Sequence, residues 1–564
     1  MSNSSLKKQI GQMIVVRTTG HLFDHQIRYP HWEADNSTLQ RWLTELNLGG
    51  VILLGGSAVE LKMRSRLLQS WATTPLFIAA DIEEGVGQRF PGATWFPPPM
   101  ALSAIAKKNL NLACDYAYQM GKITAQEAVA TGINWLLAPV VDVNNNPNNP
   151  VINIRAFGDT PEIVSKLTTA FIQGAQQHPI LTTAKHFPGH GDTATDSHLD
   201  LPIIPHSDSR LNTVEIPPFK SAIAAEVDSV MTAHLLIKEW DKNYPVTLSP
   251  YIINQKLRAE LGFSGLIVTD ALIMGGITKY APPAEVAVMA IEAGTDVLLM
   301  PDDPEIAIES ILQAVESGRI SEAKIYQSLE RIKQAKTKVI SDAFQQLDQE
   351  TGRGGDGENF SLKSSDKLDI SSNFAESNYL NFLNQISQPK ATQTVKEILE
   401  HSLQYGGNLP LKITKDQPLR NLVITDNLLN SSFLDISCPA ITIPGKLGYK
   451  TQVLDSHSLD CILLNSSKTL LQIFVRGNPF RGQAGLTNEA QNIYQQLLAK
   501  NQVIGLIIYG SPYILDWFKP LIPAELPWIF MYGQMTQSQA IALEKLFNLA
   551  SDSVTNIKQQ NFGF

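Results

Sequence analysis

The stretch PILTTAKHFPGHGDTATDSHLDLP, residues 179–202, joins two unlike halves. The first eight residues are mostly apolar and β-branched, the pattern of a strand buried on both faces, yet they end on Lys185 and His186. The remainder has glycines at 189 and 191, prolines at 188 and 202, and a run of histidines and aspartates, which reads as a loop. A strand that turns polar only at its C-terminal end belongs in a parallel sheet whose C-terminal edge faces a site. Charge buried elsewhere in such a strand would cost too much free energy.

The same pattern recurs on both sides of this stretch. Short apolar runs occur at GQMIVVR (11–17), GGVILLGG (49–56), PLFIAAD (75–81) and INWLLAPVVDV (133–143). After 179–186 come DSVMTAH (228–234), GLIVTD (265–270) and GTDVLLM (294–300). Eight runs alternating with helix-length segments over roughly 300 residues match the count of a (β/α)8 TIM-type barrel, with an open doubly wound sheet as the competing arrangement. Asp81, Asp142, Lys185 with His186, His234 and Asp270 all fall at or near the C-terminal end of a run, which favours the barrel and a site on its rim.

The barrel is expected over 1–341. A linker follows over 342–375, where periodicity gives way to Gly, Ser and charge. A smaller α/β sandwich is expected over 376–564, with strands at 421–427, 460–466, 471–477, 503–510 and 527–533 and a helix at 487–501. The glycine run GRGGDG (352–357) follows no strand and opens no helix, so it does not read as a phosphate cradle.

Bulk properties narrow the function. With 564 residues, 43% apolar and 18% charged, the chain has ordinary globular composition, and its net charge of −9 offers no basic stripe for nucleic acid. Cys114, Cys438 and Cys461 have no framework spacing and read as thiols of a reducing compartment. No run of 18 apolar residues and no secretory leader pattern is present, so a cytoplasmic protein without a membrane span is expected.

Several residues carry chemistry. Asp270 could act as nucleophile, base or metal ligand, or simply cap a helix. Asp81 with Arg89 suits bidentate contacts to neighbouring hydroxyls, and Arg155, in NPNNPVINIRAFGD (146–159), would hang over the same rim. Asp196 and His198 lie two apart, the arrangement of a carboxylate orienting an imidazole, on a loop whose glycines would let it swing over a pocket. His186, His190, Asp192 and His198 could instead gather a metal, although H-x3-H-x-D is not a helical ligand spacing.

These motifs resemble glycoside hydrolase family 3, in its β-N-acetylglucosaminidase branch with two domains. KHFPGHGDTATDSHLDLP (185–202) resembles the branch signature. DIEEG with Arg89, NPVINIRAFGD and IVTDALIMGGI resemble three further segments in the same order, and FVRGNPFRG (474–482) is loosely similar to the accessory domain. The resemblance implies that Asp270 is the nucleophile of a retaining hydrolase, His198 the acid/base and Asp196 its orienting partner. It implies that Asp81, Arg89, Arg155, Lys185 and His186 contact sugar hydroxyls, with His234 and Met274 near the site. It implies no metal or organic cofactor. The expected substrate is a small carbohydrate or muropeptide, with terminal N-acetylglucosamine removed from peptidoglycan fragments. A β-glucosidase or β-xylosidase, a sugar phosphorylase, a metal-dependent hydrolase and a non-catalytic sugar-binding protein are the alternatives. One departure stands out: Glu84, Gly85 and Val86 occupy positions where the family usually has Gly-Gly-Arg.

Overall fold

The computed structural model describes residues 3–351, 381–413, 417–459, 462, 467–477 and 482–550. Each of the eight apolar runs of the first domain contributes one strand. They are β1 (Ile14–Thr19), β2 (Gly50–Leu54), β3 (Phe77–Ala80), β4 (Trp135–Leu136), β5 (Thr183–Phe187), β6 (Ser229–Thr232), β7 (Leu266–Thr269) and β8 (Leu298–Leu299). All pairings among them are parallel, in a five-stranded group β8-β1-β2-β3-β4 and a three-stranded group β5-β6-β7. Parallel bridges close both seams, Trp135 to Leu181 and Val140 to Lys185 on one side and Val268 to Val297 on the other. The ring is therefore a closed barrel, and the open doubly wound sheet is excluded for this domain.

Helices follow the strands and cover the outside, among them Ala58–Trp71, Leu110–Thr131, Pro161–Ala175, Pro283–Ala293 and Pro304–Glu316. Local sequence sets their ends. Ser57 and Glu60 form a reciprocal capping box at one N-terminus, and Gly132 adopts φ +90° to close the helix Leu110–Thr131. Inside the barrel Trp135 is fully buried against Phe77 and donates its indole N–H to Thr183 Oγ1 at 2.9 Å and Ser229 Oγ at 3.1 Å. That plug of side chains makes the barrel a packed core, so function is left to the rim.

The second domain is a mixed sheet of β9 (Gln404–Gly406), β10 (Leu419–Thr425), β11 (Lys450–Asp455), β12 (Lys468–Val475), β13 (Val503–Gly510) and β14 (Trp528–Met531). Five strands run parallel in the order β11-β10-β12-β13-β14, a doubly wound arrangement, and β9 adds an antiparallel edge. The sequence reading missed β9 and β11. Both are edge strands, and β11 opens on the exposed polar residues Lys450 and Thr451, so neither shows a continuous apolar run. The strand expected at 460–466 lies almost entirely outside the described residues.

The barrel's last helix, Glu322–Thr351, runs past the boundary expected at 341, and most of the expected linker lies outside the described residues. Where the chain resumes it straps onto the barrel. Ser387 N donates to Glu127 Oε1 at 2.7 Å, and Tyr116 OH lies 3.0 Å from His401 Nδ1. Cys114 is half-buried and Cys438 buried, both as free thiols, and Cys461 is outside the described residues. Among the described residues, no helix is long and apolar enough to cross a membrane.

Candidate active site

The strand ends converge on a charged floor. Lys185, in the middle of β5, places Nζ 2.8 Å from Asp81 Oδ1 and 2.8 Å from Glu83 Oε1. Arg155 grips the same Glu83 with both edges, Nε to Oε2 at 2.8 Å and Nη2 to Oε1 at 2.7 Å, and donates Nη1 to Val151 O at 3.0 Å. Burial pushes the Glu83 carboxyl upward, but the Arg155 and Lys185 charges outweigh it and hold the group well below the usual range. Burial likewise works against the Lys185 ammonium, and Asp81 and Glu83 more than compensate, so its pKa is raised. The Asp81 side chain stays 45% exposed while those of Lys185, Glu83 and Arg155 are 1%, 3% and 11% exposed. Asp81 is thus the member of this group whose carboxylate is open to solvent. Arg89 is exposed and donates Nε to the Asp81 carbonyl at 3.1 Å, bracing the strand end rather than its carboxylate.

A second buried carboxylate organises the next strand end. Asp142 accepts from His186 N at 3.1 Å and His190 N at 2.7 Å and lies 2.8 Å from His186 Nδ1. Burial pushes its pKa up, yet His186 and His190 bring it below the ordinary value. With Nδ1 committed to Asp142, His186 has Nε2 left for a ligand. Glu83 and Asp142 were not among the site residues read from the sequence. Both had a visible signal: Glu83 lies three residues beyond β3, and Asp142 closes the apolar run of β4, the strand next to the one that carries Lys185 and His186.

Asp270 directly follows β7. Its N–H donates to Thr232 O at 3.1 Å and one carboxylate oxygen accepts from Ala271 N at 2.8 Å. Burial pushes the Asp270 carboxyl up, but His186, His234 and His198 pull it down to about 2. It is therefore an anion throughout the neutral range. His234 has Nε2 3.1 Å from Ala271 O, in the turn after Asp270, and Nδ1 2.9 Å from Thr247 Oγ1, which anchors the ring to the segment Val246–Leu248. Burial lowers its pKa against the pull of Asp270. Met274 is buried and donates its N–H to Ala271 O at 3.1 Å, at the start of the helix Gly275–Thr278.

The loop after β5 crosses above. His198 Nδ1 lies 2.9 Å from Asp196 Oδ1, which also accepts the His198 N–H at 2.9 Å. Gly275 N donates to His198 O at 3.1 Å, Gly276 N to Ser197 O at 3.0 Å and Lys279 Nζ to Leu199 O at 2.8 Å, tying this arm to the turn that carries Asp270. The glycines do not simply free the loop, as the sequence suggested. A Cβ at Gly191 would sit 1.8 Å from Val143 O, so glycine there permits close packing, and Asn149 Nδ2 bonds the carbonyls of His190 and Gly191 at 2.7 and 3.0 Å.

The histidine metal cluster does not assemble. His190 gives Nδ1 to a contact with Thr193 Oγ1 at 2.8 Å and Nε2 to Ser197 Oγ at 2.9 Å, and burial lowers its pKa to about 4. Asp192 turns instead to His206 at 3.0 Å and Arg210 at 3.1 Å. Among the described residues Asp192, His206 and Glu215 are close enough to share an ion, but the Arg210 guanidinium already bonds both carboxylates.

Residues 5–335 match the glycosyl hydrolase family 3 N-terminal domain, and residues 412–548 the bacterial glycosyl hydrolase family 3 C-terminal domain. The chain belongs to glycoside hydrolase family 3. It is 34% identical over 345 residues to "Beta-hexosaminidase A" of Pseudoalteromonas piscicida, covering 54% of this chain and 56% of that protein. It is 35% identical over 270 residues to a "Beta-hexosaminidase" of Alkalilimnicola ehrlichii, covering 47% of this chain and 77% of that one. A family 3 β-N-acetylglucosaminidase from Paenibacillus sp. superposes with a TM-score of 0.75 at 27% identity, over 96% of each chain. A β-glucoside phosphorylase superposes with a TM-score of 0.77 at 20% identity, over 97% of this chain and 94% of that one, a likeness of fold alone.

Within this family 3 enzyme the departure at Glu84 has a structural counterpart. Glu84 is fully buried and accepts from Trp95 Nε1 at 3.0 Å and from Arg476 Nη2 at 2.6 Å and Nη1 at 3.3 Å. Arg476 belongs to the second domain, just past β12.

Proposed function

We propose that this family 3 glycoside hydrolase is a retaining exo-β-N-acetylglucosaminidase that removes terminal N-acetylglucosamine from peptidoglycan fragments. The observation that carries the mechanism is an Asp270 carboxylate held ionised, with its pKa at about 2, below an arm whose histidine is oriented by Asp196. The sugar preference rests on the relatives named β-hexosaminidase.

In this reading Asp81, Lys185, Arg155 and His186 fix the terminal sugar through its hydroxyls, so that binding energy is converted into alignment. Asp270 attacks the anomeric carbon. The glycosidic bond breaks as the His198 ring delivers a proton to the leaving oxygen, giving the free aglycone and a glycosyl ester on Asp270. The bond from Nδ1 to Asp196 assigns proton transfer to Nε2. The now neutral ring then takes a proton from water as that water attacks the same carbon, which releases the sugar with its configuration kept and restores the Asp270 carboxylate. Free Cys114 and Cys438 fit a protein of a reducing compartment.

The test is a panel of aryl β-glycosides and muropeptides, with and without phosphate, read for released sugar. Release of free N-acetylglucosamine, fastest from β-N-acetylglucosaminides, is expected. Dominant cleavage of the glucoside would overturn the sugar assignment. A sugar 1-phosphate as the main product with phosphate present would replace hydrolysis by phosphorolysis.

A further inference from the structure

We infer that Arg476, carried by the second domain, is a positioning residue for sugar binding in the barrel. The inference deepens the proposed function and rests on its placing of the sugar over the Asp81, Lys185 and Arg155 floor. Glu84 is fully buried, and among the described residues Arg476 is the cation paired with it. Its neighbour Glu83 holds both Arg155 and Lys185. The two acids move as one unit. The N–H groups of Glu83 and Glu84 donate to the same Gln88 Oε1, at 2.9 and 3.1 Å, and Glu84 O accepts from Phe96 N at 2.7 Å. A shift of Glu84 therefore carries Glu83 with it, and with Glu83 the two cations of the floor.

The second domain also touches the other half of that grip. A Cβ at Gly477 would lie 2.6 Å from Asn153 Cβ, so the backbone after Arg476 packs directly on the turn Asn153–Arg155. Asn153 N donates to Asn144 Oδ1 at 2.8 Å, and Asn144 Nδ2 donates to Tyr513 OH of the second domain at 2.8 Å. Arg476 thus braces the Glu83 side of the Glu83–Arg155 pair, while Gly477 and Tyr513 brace the Arg155 side. The second domain is in this way part of the substrate grip although its side chains reach it through intermediaries. Without Arg476, residue 84 loses its anchor to the second domain whether or not it is charged, and the stranded Glu84 charge adds a separate cost to stability.

The experiment uses the full chain and the aryl glycoside that the wild type turns over best, whichever sugar it carries. KM, kcat and Tm are measured for Arg476→Ala, Arg476→Lys and the double variant Glu84→Gln/Arg476→Ala, well below each Tm. Coupling through such a network is expected to raise KM about tenfold in Arg476→Ala with kcat changed less than about threefold, and by about threefold or less in Arg476→Lys. The double variant removes the stranded charge. A recovered Tm with KM still raised supports positioning. A wild-type KM in Arg476→Ala despite a lowered Tm, or a KM that returns with Tm in the double variant, overturns it. Should Arg476→Ala not fold, the other two variants decide in the same way. A wild type that prefers another sugar revises the proposed function and leaves this inference to be judged on KM alone.

Discussion

The floor of the site and the arm above it are built on opposite principles. On the floor, Lys185, Glu83 and Arg155 are nearly inaccessible and every charge is matched by an opposite one at 2.7–2.8 Å. The arm hangs on backbone hydrogen bonds to Gly275 and Gly276, and its outer residue Leu199 is 45% exposed. In the proposed function the floor holds a neutral sugar, which needs fixed donors and acceptors such as a buried ionic net supplies. In the proposed mechanism the arm delivers a proton and then takes one from water, which needs access to solvent that a dense net would deny.

Four changes would break or sharpen that contrast. Asp270→Ala removes the nucleophile of the proposed mechanism, so turnover should fall by at least ~10⁴-fold with the fold intact by circular dichroism. On the arm, His198→Ala should slow substrates with poor leaving groups by ~10²–10⁴-fold and activated aryl glycosides far less, because only the former need a proton. Equal losses on both substrates would remove His198 from that role.

Glu83→Gln tests the floor as structure. It leaves Arg155 without its carboxylate partner and Lys185 with Asp81 alone. A loss of about 3–5 kcal/mol in urea unfolding is expected, together with a raised KM. A variant as stable as the wild type would mean that the net is dispensable. The smallest effect is expected at Lys279→Ala, which removes one exposed tie to the arm and should change kcat by no more than about threefold.

The root of the arm adds a pH signature. His190 is neutral in the folded protein with its pKa lowered to about 4, while in the unfolded chain it sits near ~6.5. Between those values the unfolded state binds more protons, so this group makes stability rise with pH across that window. Glu215, which burial raises to about 7, acts in the opposite sense between the ordinary carboxylate range and 7. Replacing His190 by Gln should therefore flatten the rise below pH 6.5 in thermal unfolding. An unchanged profile would show that His190 is not held neutral there.

Much of the barrel was legible in the sequence because its strands are short apolar runs, five of which end on or near a polar residue at the rim. The cluster at 185–198 was legible for the same reason, and it divides as the sequence suggested, with Lys185 and His186 on the strand and Asp196 and His198 on the loop. What escaped depended on contact across the fold. Asp142 was visible as an acid at the end of a rim-facing run but its bonds to His186 and His190 were not, and Glu83 looks like an ordinary loop acid until Arg155 and Lys185 are brought to it. The partner of Glu84 lies 392 residues away, a separation at which spacing carries no information. The glycines misled because the same residue serves both freedom and close approach, and only the position of Val143 O shows which applies at Gly191.

The account stands or falls on Asp270 as the atom donor to a covalent intermediate. Incubation with a 5-fluoro β-N-acetylglucosaminyl substrate bearing an activated leaving group, followed by peptide mass mapping, tests this directly. The account predicts one sugar added to the peptide containing Asp270, absent in Asp270→Ala. An adduct on another residue, or turnover with inverted configuration and no adduct, would contradict it.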